Sequence, residues 1–152
     1  MQIVTLDFET FYDKQYSLTK LTTEEYIHDY RFEAIGVATK INENETTWCS
    51  GDHSEIQNYL DAIDWDDSIM VAHNAMFDAA ILSWQFGIKP KRIADTLSMS
   101  RAIDGGNVKH SLAAASARHG LGQKGTEVVA ALGKQRKDFD TEELERYGGY
   151  CI

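Results

Sequence analysis

Proline is almost missing from this sequence. Pro90 is the only one in 152 residues, and no Gly/Ser- or Pro-rich stretch accompanies it, so nothing reads as an internal linker. Cysteine is scarce too. Cys49 and Cys151 stand far apart and form no CxxC pair; they give no support to a disulfide framework or a thiolate zinc site, and they suit a reducing cytoplasm. Positive charge is in deficit, with a formal net charge of -9. That argues against a broad basic surface for gripping duplex DNA. It leaves nucleic acid open, because a protein holding metal ions through carboxylates lets the metals meet the phosphates. No apolar run is long enough to span a membrane. The N-terminus goes directly into a strand pattern and does not read as a signal peptide. His28, His53, His73, His110 and His119 show no H-x-x-x-H zinc spacing.

What is present is the balance of a soluble globular chain, 43% hydrophobic and 26% charged, at a length that makes one ordinary domain. Its most informative stretch is the first, Met1 to Thr10. Strand alternation places Val4, Leu6 and Phe8 on one face and Ile3, Thr5, Asp7 and Glu9 on the other. A hydrophobic strand therefore carries two neighbouring carboxylates at its C-terminal end. Like charges near a core are unfavourable. A bound divalent cation would relieve the repulsion, and so would departure of both side chains into solvent.

The rest reads as follows. Thr22 to Glu25 has capping-box spacing and opens a short helix through Tyr30. Phe32 to Lys40 and Glu45 to Ser50 are strand-like runs around the turn-forming Ile41 to Asn44. Ser54 or Asp52 caps a helix with Ile56, Tyr59, Leu60 and Ile63 on one side. A buried strand spans Ser68 to His73, and a helix runs from Ala75 to Phe86 with Gly87 as its stop. Arg92 to Asp95 is a short strand, Thr96 to Ile103 a helix, and Ser111 to His119 an alanine-rich helix ended by Gly120. Thr126 to Leu132 reads as another helical piece, and Thr141 or Asp140 caps the last helix. Three strands, then alternating helices and strands, predict an α/β fold. Its mixed sheet is a three-strand antiparallel meander followed by parallel strands, with helices on both faces.

A second group of polar residues lies where the Ser68–His73 strand passes into a helix. Asn74 and Asp78 are four apart and project from the same side of that helix. In open α/β sheets ligands collect at the C-terminal edge of the strands. If the first strand and this one lie parallel and adjacent, Asp7, Glu9 and Asp78 meet on one edge. The plainer reading has Asn74 capping the helix and Asp78 in solvent.

Asp7-Phe-Glu9 at a strand end resembles the first motif of the DEDD superfamily of 3′→5′ exonucleases, and His73-Asn74-x-x-x-Asp78 resembles its second. Asp95-Thr96, Ser111-Leu112 and Gly120-Leu-Gly122 look like its linking segments. Tyr147-Gly-Gly-Tyr150-Cys-Ile152 looks like the start of the third motif of the tyrosine subclass, Tyr-x-x-x-Asp, with Tyr150 matching the tyrosine. The motif's aspartate would fall two positions beyond Ile152.

The resemblance implies a ribonuclease H-like fold and a single exonuclease domain over 1–152, C-terminally incomplete. It is most similar to the proofreading domain of a phage-type family A DNA polymerase, whose polymerase domain would follow. It implies two divalent metal ions, Mg²⁺ or Mn²⁺, held by Asp7, Glu9 and Asp78, with Tyr150 orienting the attacking water. Thr10, Phe11 and Asn74 would hold the terminal nucleotide of a single-stranded DNA 3′ end. The setting implied is the cytoplasm of a bacterial cell, phage- or prophage-encoded, with no membrane partner. Lacking the last aspartate, this chain is expected to be weak or inactive. RNA ends, as in RNase D-like relatives, and a non-catalytic nucleic-acid-binding or scaffold role in a polymerase are the alternatives.

Other patterns carry less. Gly120 to Gly125 spells G-x-G-x-x-G, but it follows a helix and not a strand, so the dinucleotide reading lacks its context. Lys134 to Lys137 could meet phosphates, yet a short charge run usually forms a solvated face.

Overall fold

The computed structural model describes residues 1–121 and 131–151, the last two as backbone only. Five strands form one sheet: β1 (Gln2–Thr10), β2 (Ala34–Ile41), β3 (Thr47–Cys49), β4 (Ser68–Ala72) and β5 (Arg92–Asp95), in the order β3-β2-β1-β4-β5. β1, β2 and β3 pair antiparallel, while β4 runs parallel to β1 and β5 parallel to β4. This is the predicted mixed sheet. Six α-helices accompany it among the described residues: α1 (Thr23–His28), α2 (His53–Asp61), α3 (Ala75–Phe86), α4 (Thr96–Asp104), α5 (Leu112–His119) and α6 (Thr141–Cys151).

The even face of β1 builds the main core. Val4, Leu6 and Phe8 pack with Val37 and Met70 of neighbouring strands, Tyr26 and Ile27 of α1, Ile56 and Leu60 of α2, and Ile81 and Leu82 of α3. Each such fully buried aliphatic side chain contributes about 1.5–3 kcal/mol relative to exposure. The opposite face carries a smaller core of Ile35, Ala131 and Tyr147, edged by Tyr12, Phe139 and Leu144. Ile35 reaches that face through a register shift. Glu9 pairs with Gly36 and Thr10 with Ala34, so Ile35 is the extra residue of a bulge. α6 thus lies over the face that bears Asp7 and Glu9, with α1, α2 and α3 opposite.

Helix ends follow local chemistry. Thr22 and Glu25 cap α1 reciprocally, and Asp52, not Ser54, does so with Glu55 for α2. Asp140 exchanges the same pair of bonds with Glu143 ahead of α6. Gly87 and Gly120 end α3 and α5 in left-handed conformation. α1 stops at His28, short of the expected Tyr30, because Asp29 turns extended and its carboxylate takes the backbone N–H and guanidinium of Arg31. β2 starts at Ala34, not Phe32, whose N–H closes a turn onto the Asp29 carbonyl. The helical piece expected from Thr126 lies outside the described residues except for Ala131 and Leu132. Among the described residues no helix is long and apolar enough to cross a membrane.

Candidate active site

β1 outruns β4, and the site starts from that mismatch. Their pairing ends at Thr5↔Val71, so the next β1 backbone donors on that side find no strand. β4 ends at Ala72, the chain turns through Asn74 in a left-handed conformation (φ 69°, ψ 49°), and α3 begins at Ala75. Asp78, one turn into α3 and 4% exposed, takes the place of the missing strand: its carboxylate accepts the Phe8 N–H at 3.0 Å.

Burial and, after it, the neighbouring Asp7 charge push the Asp78 carboxyl up to about 8, against the pull of the Phe8 N–H and its own backbone N–H. Glu9 adds a weaker push. The solvated alternative for Asp78 is therefore not what the fold builds. Glu9 is itself buried at 8% exposure, and its Oε2 accepts the Tyr147 hydroxyl at 2.7 Å. Asp7, two residues before Glu9 on β1, is half-buried.

A cavity of about 250 Å³ opens beside Glu9, walled by Phe8, Thr10, Tyr12, Leu18, Tyr26 and Phe77. The Thr10 and Tyr26 hydroxyls meet at 2.8 Å, and the Tyr26 hydroxyl also donates to the Phe11 carbonyl. The Phe11 ring turns into the core, stacked on Tyr16 at 5.8 Å. The aromatic wall belongs to Phe77 and Tyr26, whose rings lie 5.9 Å apart. Helical spacing turns Phe77, one residue before Asp78, to another face of α3, and its exposure to the cavity depends on the angle at which α3 meets β1. Tyr150 lies on α6, and its side chain is outside the described residues.

Asp95 has a larger part than a linking segment. Its carboxylate accepts the Asn74 and Ala75 N–H groups at 2.9 and 3.1 Å, then caps α4 through the Leu97 and Ser98 N–H groups and the Ser98 hydroxyl. Asn74 makes no side-chain cap of its own. The sequence signal was there, an acidic residue before Thr-Leu-Ser in N-cap position; its reach across to α3 was not. His73 reinforces the same junction: Nε2 donates to the His110 carbonyl at 2.9 Å and Nδ1 meets the Thr96 hydroxyl at 3.0 Å.

Asp95→Ala should cost about 2–3 kcal/mol, one cap plus two orphaned N–H groups, and lower the midpoint of thermal unfolding by roughly 5–10 °C. Burial is the largest single influence on Asp95 and raises its pKa. The Ser98 hydroxyl and the Ala75, Leu97 and Asn74 N–H groups together outweigh it, so the group sits at about 2 against an ordinary 3.8. A depressed folded-state value means this stabilisation is complete above the unfolded value and is lost as pH falls from 3.8 toward about 2. The acid limb of a stability profile should therefore flatten in the variant.

Asp7, Glu9 and Asp78 offer the hard carboxylate oxygens that Mg²⁺ and Mn²⁺ take. The charge crowding that raises Asp78 is what a cation would relieve. In donor chemistry the residues fit a divalent ion. Their fit stops short of a finished cage: among the described residues no three His, Cys, Asp or Glu side chains stand as one metal-holding group.

The family model described as 3′-5′ exonuclease matches residues 4–146. Comparison with curated protein sequences gives no match. Among solved structures, Brucella melitensis NrnC with bound Mg²⁺ superposes with a TM-score of 0.67 at 15% identity, over 97% of this chain and 65% of that one. The same protein bound to pGG gives 0.65 at 15% identity with coverage of 97% and 65%. A mutant of the catalytic core of RRP6 from Trypanosoma brucei gives 0.65 at 17% identity, over 97% of this chain and 37% of that one. The chain thus spans about 65% of the length of the NrnC structures. With a family match that takes in both carboxylate-bearing segments, and a fold shared with ribonuclease H-like DEDD exonucleases, the chain belongs to the 3′-5′ exonuclease family.

Proposed function

We propose that the chain is a metal-dependent exonuclease domain that removes nucleotides from single-stranded DNA 3′ ends, in the proofreading service of a family A DNA polymerase. One observation carries the chemistry. Asp7 and Glu9 of β1 and Asp78 of α3 share one sheet edge beside a cavity of about 250 Å³, enough room for a nucleobase. Asp7, Glu9 and Asp78 would hold divalent metal, Mg²⁺ or Mn²⁺ and two ions in the full mechanism, which supplies charge neutralisation at the phosphate and an acidified water. NrnC with bound Mg²⁺ supports the choice of metal by likeness of fold.

The chain's own side chains do the rest. Phe77 offers a ring face to the terminal base, backed by the buried Tyr26 ring. Thr10, fixed by Tyr26, and the Asn74 amide, fixed at its backbone by Asp95, border the nucleotide. The Phe11 backbone carbonyl, held by Tyr26, shapes the floor, while its ring supports from the core. Tyr150 is assigned the water-orienting hydroxyl by the motif it matches. The setting that goes with this reading is a bacterial cytoplasm, with a phage or prophage gene and a polymerase domain beyond this one.

A second reading keeps the carboxylates and changes the sugar to ribose. The carboxylates address phosphate, which both polymers share, and the fold likeness to NrnC bound to pGG favours trying it. The deciding experiment is digestion of 5′-labelled single-stranded DNA and RNA of one sequence with Mn²⁺. A ladder shortening from the 3′ end of the DNA, absent in Asp7→Ala, is expected. Mn²⁺ should exceed Mg²⁺, which demands a near-ideal octahedral shell. Preference for RNA would move the reading to the second substrate. No shortening by either protein would match the inactivity expected of a chain that lacks the motif's last aspartate, and shortening equal in Asp7→Ala would overturn the activity.

A further inference from the structure

We propose that Tyr147, one helical turn before the motif tyrosine, is a positioning residue that holds the Glu9 carboxylate in its metal-binding pose. The inference rests on the exonuclease reading of the same site. The two residues are 138 apart in sequence, and the Tyr147 hydroxyl donates to Glu9 Oε2 at 2.7 Å. Both are buried, Tyr147 at 3% exposure and Glu9 at 8%. A buried carboxylate without a donor is costly. Glu9 also sits on the face with Asp7, and its charge reaches Asp78, so repulsion would turn it away from the shared edge. The Tyr147 bond opposes that turn.

The tyrosine itself has little freedom. Its ring stacks on Phe139 at 5.4 Å with 8° between planes and meets Trp48 edge-on at 6.4 Å. Ile35, the extra residue of the β2 bulge, packs in the same small core. Gly148, the next residue, is where α6 seats on the sheet: a Cβ there would stand 2.4 Å from the Trp48 ring. The bulge, the glycine and two aromatic rings thus converge to fix one hydroxyl on one carboxylate. Tyr147 and Tyr150 lie three apart in α6. The roles divide: Tyr147 fixes a ligand, Tyr150 addresses water.

The test compares the parent chain with Tyr147→Phe and Tyr150→Phe. The ring stays in both, and only the hydroxyl goes. Mn²⁺ binding is measured by titration calorimetry without nucleic acid, digestion of labelled single-stranded DNA is followed against Mn²⁺ concentration, and melting is recorded in EDTA. Loss of a side chain that orients a metal ligand typically weakens metal affinity about 10–100-fold. Tyr147→Phe should show that weakening, with digestion recovered at high Mn²⁺; Tyr150→Phe should bind Mn²⁺ as the parent does and digest slowly even at saturation.

Unchanged Mn²⁺ affinity in Tyr147→Phe, with only a lower melting point, would make the bond purely structural and overturn the proposal. So would a rate loss that saturating Mn²⁺ does not restore, because the hydroxyl would then act on substrate or water. A parent that binds Mn²⁺ but digests nothing would match the inactivity expected without the motif's last aspartate, and the affinity comparison alone would decide Tyr147. A parent that binds no Mn²⁺ would sink both.

Discussion

Asp78→Asn is expected to lose digestion and gain stability. The substitution keeps a side-chain oxygen for the Phe8 N–H that Asp78 accepts at 3.0 Å, so the β1–α3 junction survives. What it removes is a charge that burial and Asp7 disfavour. A carboxyl raised to about 8 from 3.8 binds a proton in the folded state that the unfolded chain has already released. Stability from this group is therefore complete below 3.8 and is lost as pH rises toward about 8. The loss at the alkaline end is on the order of a few kcal/mol. In EDTA at pH 8 the variant should melt roughly 5–10 °C above the parent, and the gap should close toward pH 4.

Its activity should go the other way. A metal ion contributes several kcal/mol of transition-state stabilisation, so loss of an anionic ligand is expected to slow digestion about 1000-fold. Melting curves across pH and the 3′ ladder assay check the two halves separately. Parental digestion in Asp78→Asn would remove Asp78 from the metal set. A melting point that stays flat with pH in both proteins would remove the charge crowding. Stability given up at a site of crowded charge is a familiar cost of function.

Gly148→Ala and Gly149→Ala should move stability in opposite directions. Both lie inside α6, where each glycine costs about 1 kcal/mol against alanine by propensity alone. At Gly149 nothing lies within 4 Å of an added Cβ, so alanine should stabilise by up to about 1 kcal/mol. At Gly148 an added Cβ would stand 2.4 Å from Trp48. The indole is wedged beside Tyr147, so α6 must lift or the ring must shift. Overpacking of this kind costs about 1–3 kcal/mol, enough to outweigh the propensity gain. Gly148→Ala should also loosen Tyr147 from Glu9 and raise the Mn²⁺ needed for half-maximal digestion, whereas Gly149→Ala should leave it unchanged. Stabilisation by both alanines would mean that α6 does not seat on Trp48.

This pair shows where sequence reading stopped. Two adjacent glycines in a helix are alike by propensity, and only the position of Trp48 on β3, distant in the chain, separates a needed glycine from a dispensable one. The elements themselves were legible because local chemistry dictates them. Alternation set the β1 faces, the Ala75–Phe86 helix ended at its glycine, and Arg92–Asp95 was bounded by the cap that follows. The meeting of Asp7 with Asp78 was legible as a consequence of parallel strands at one edge. Three things were not. The β2 bulge that sends Ile35 beneath α6 leaves no pattern in a run of strand-forming residues. The double duty of Asp95 needs the distance between two helix starts. The Tyr147–Glu9 bond needs the tilt of α6 over the sheet. All three are long-range geometry, which composition and spacing do not encode.

The overhang of β1 past β4 has one more consequence. The Phe8 amide hydrogen is closed off by a titratable carboxylate and not by another strand, so its exchange with deuterium depends on what Asp78 is doing. Metal that draws Asp78 away would expose the amide to faster labelling, while neighbours such as Thr5, paired with Lys40 of β2, would keep their pace. A single backbone position near the middle of the molecule thereby becomes a spectroscopic gauge of the site, readable without substrate and without any change to the sequence.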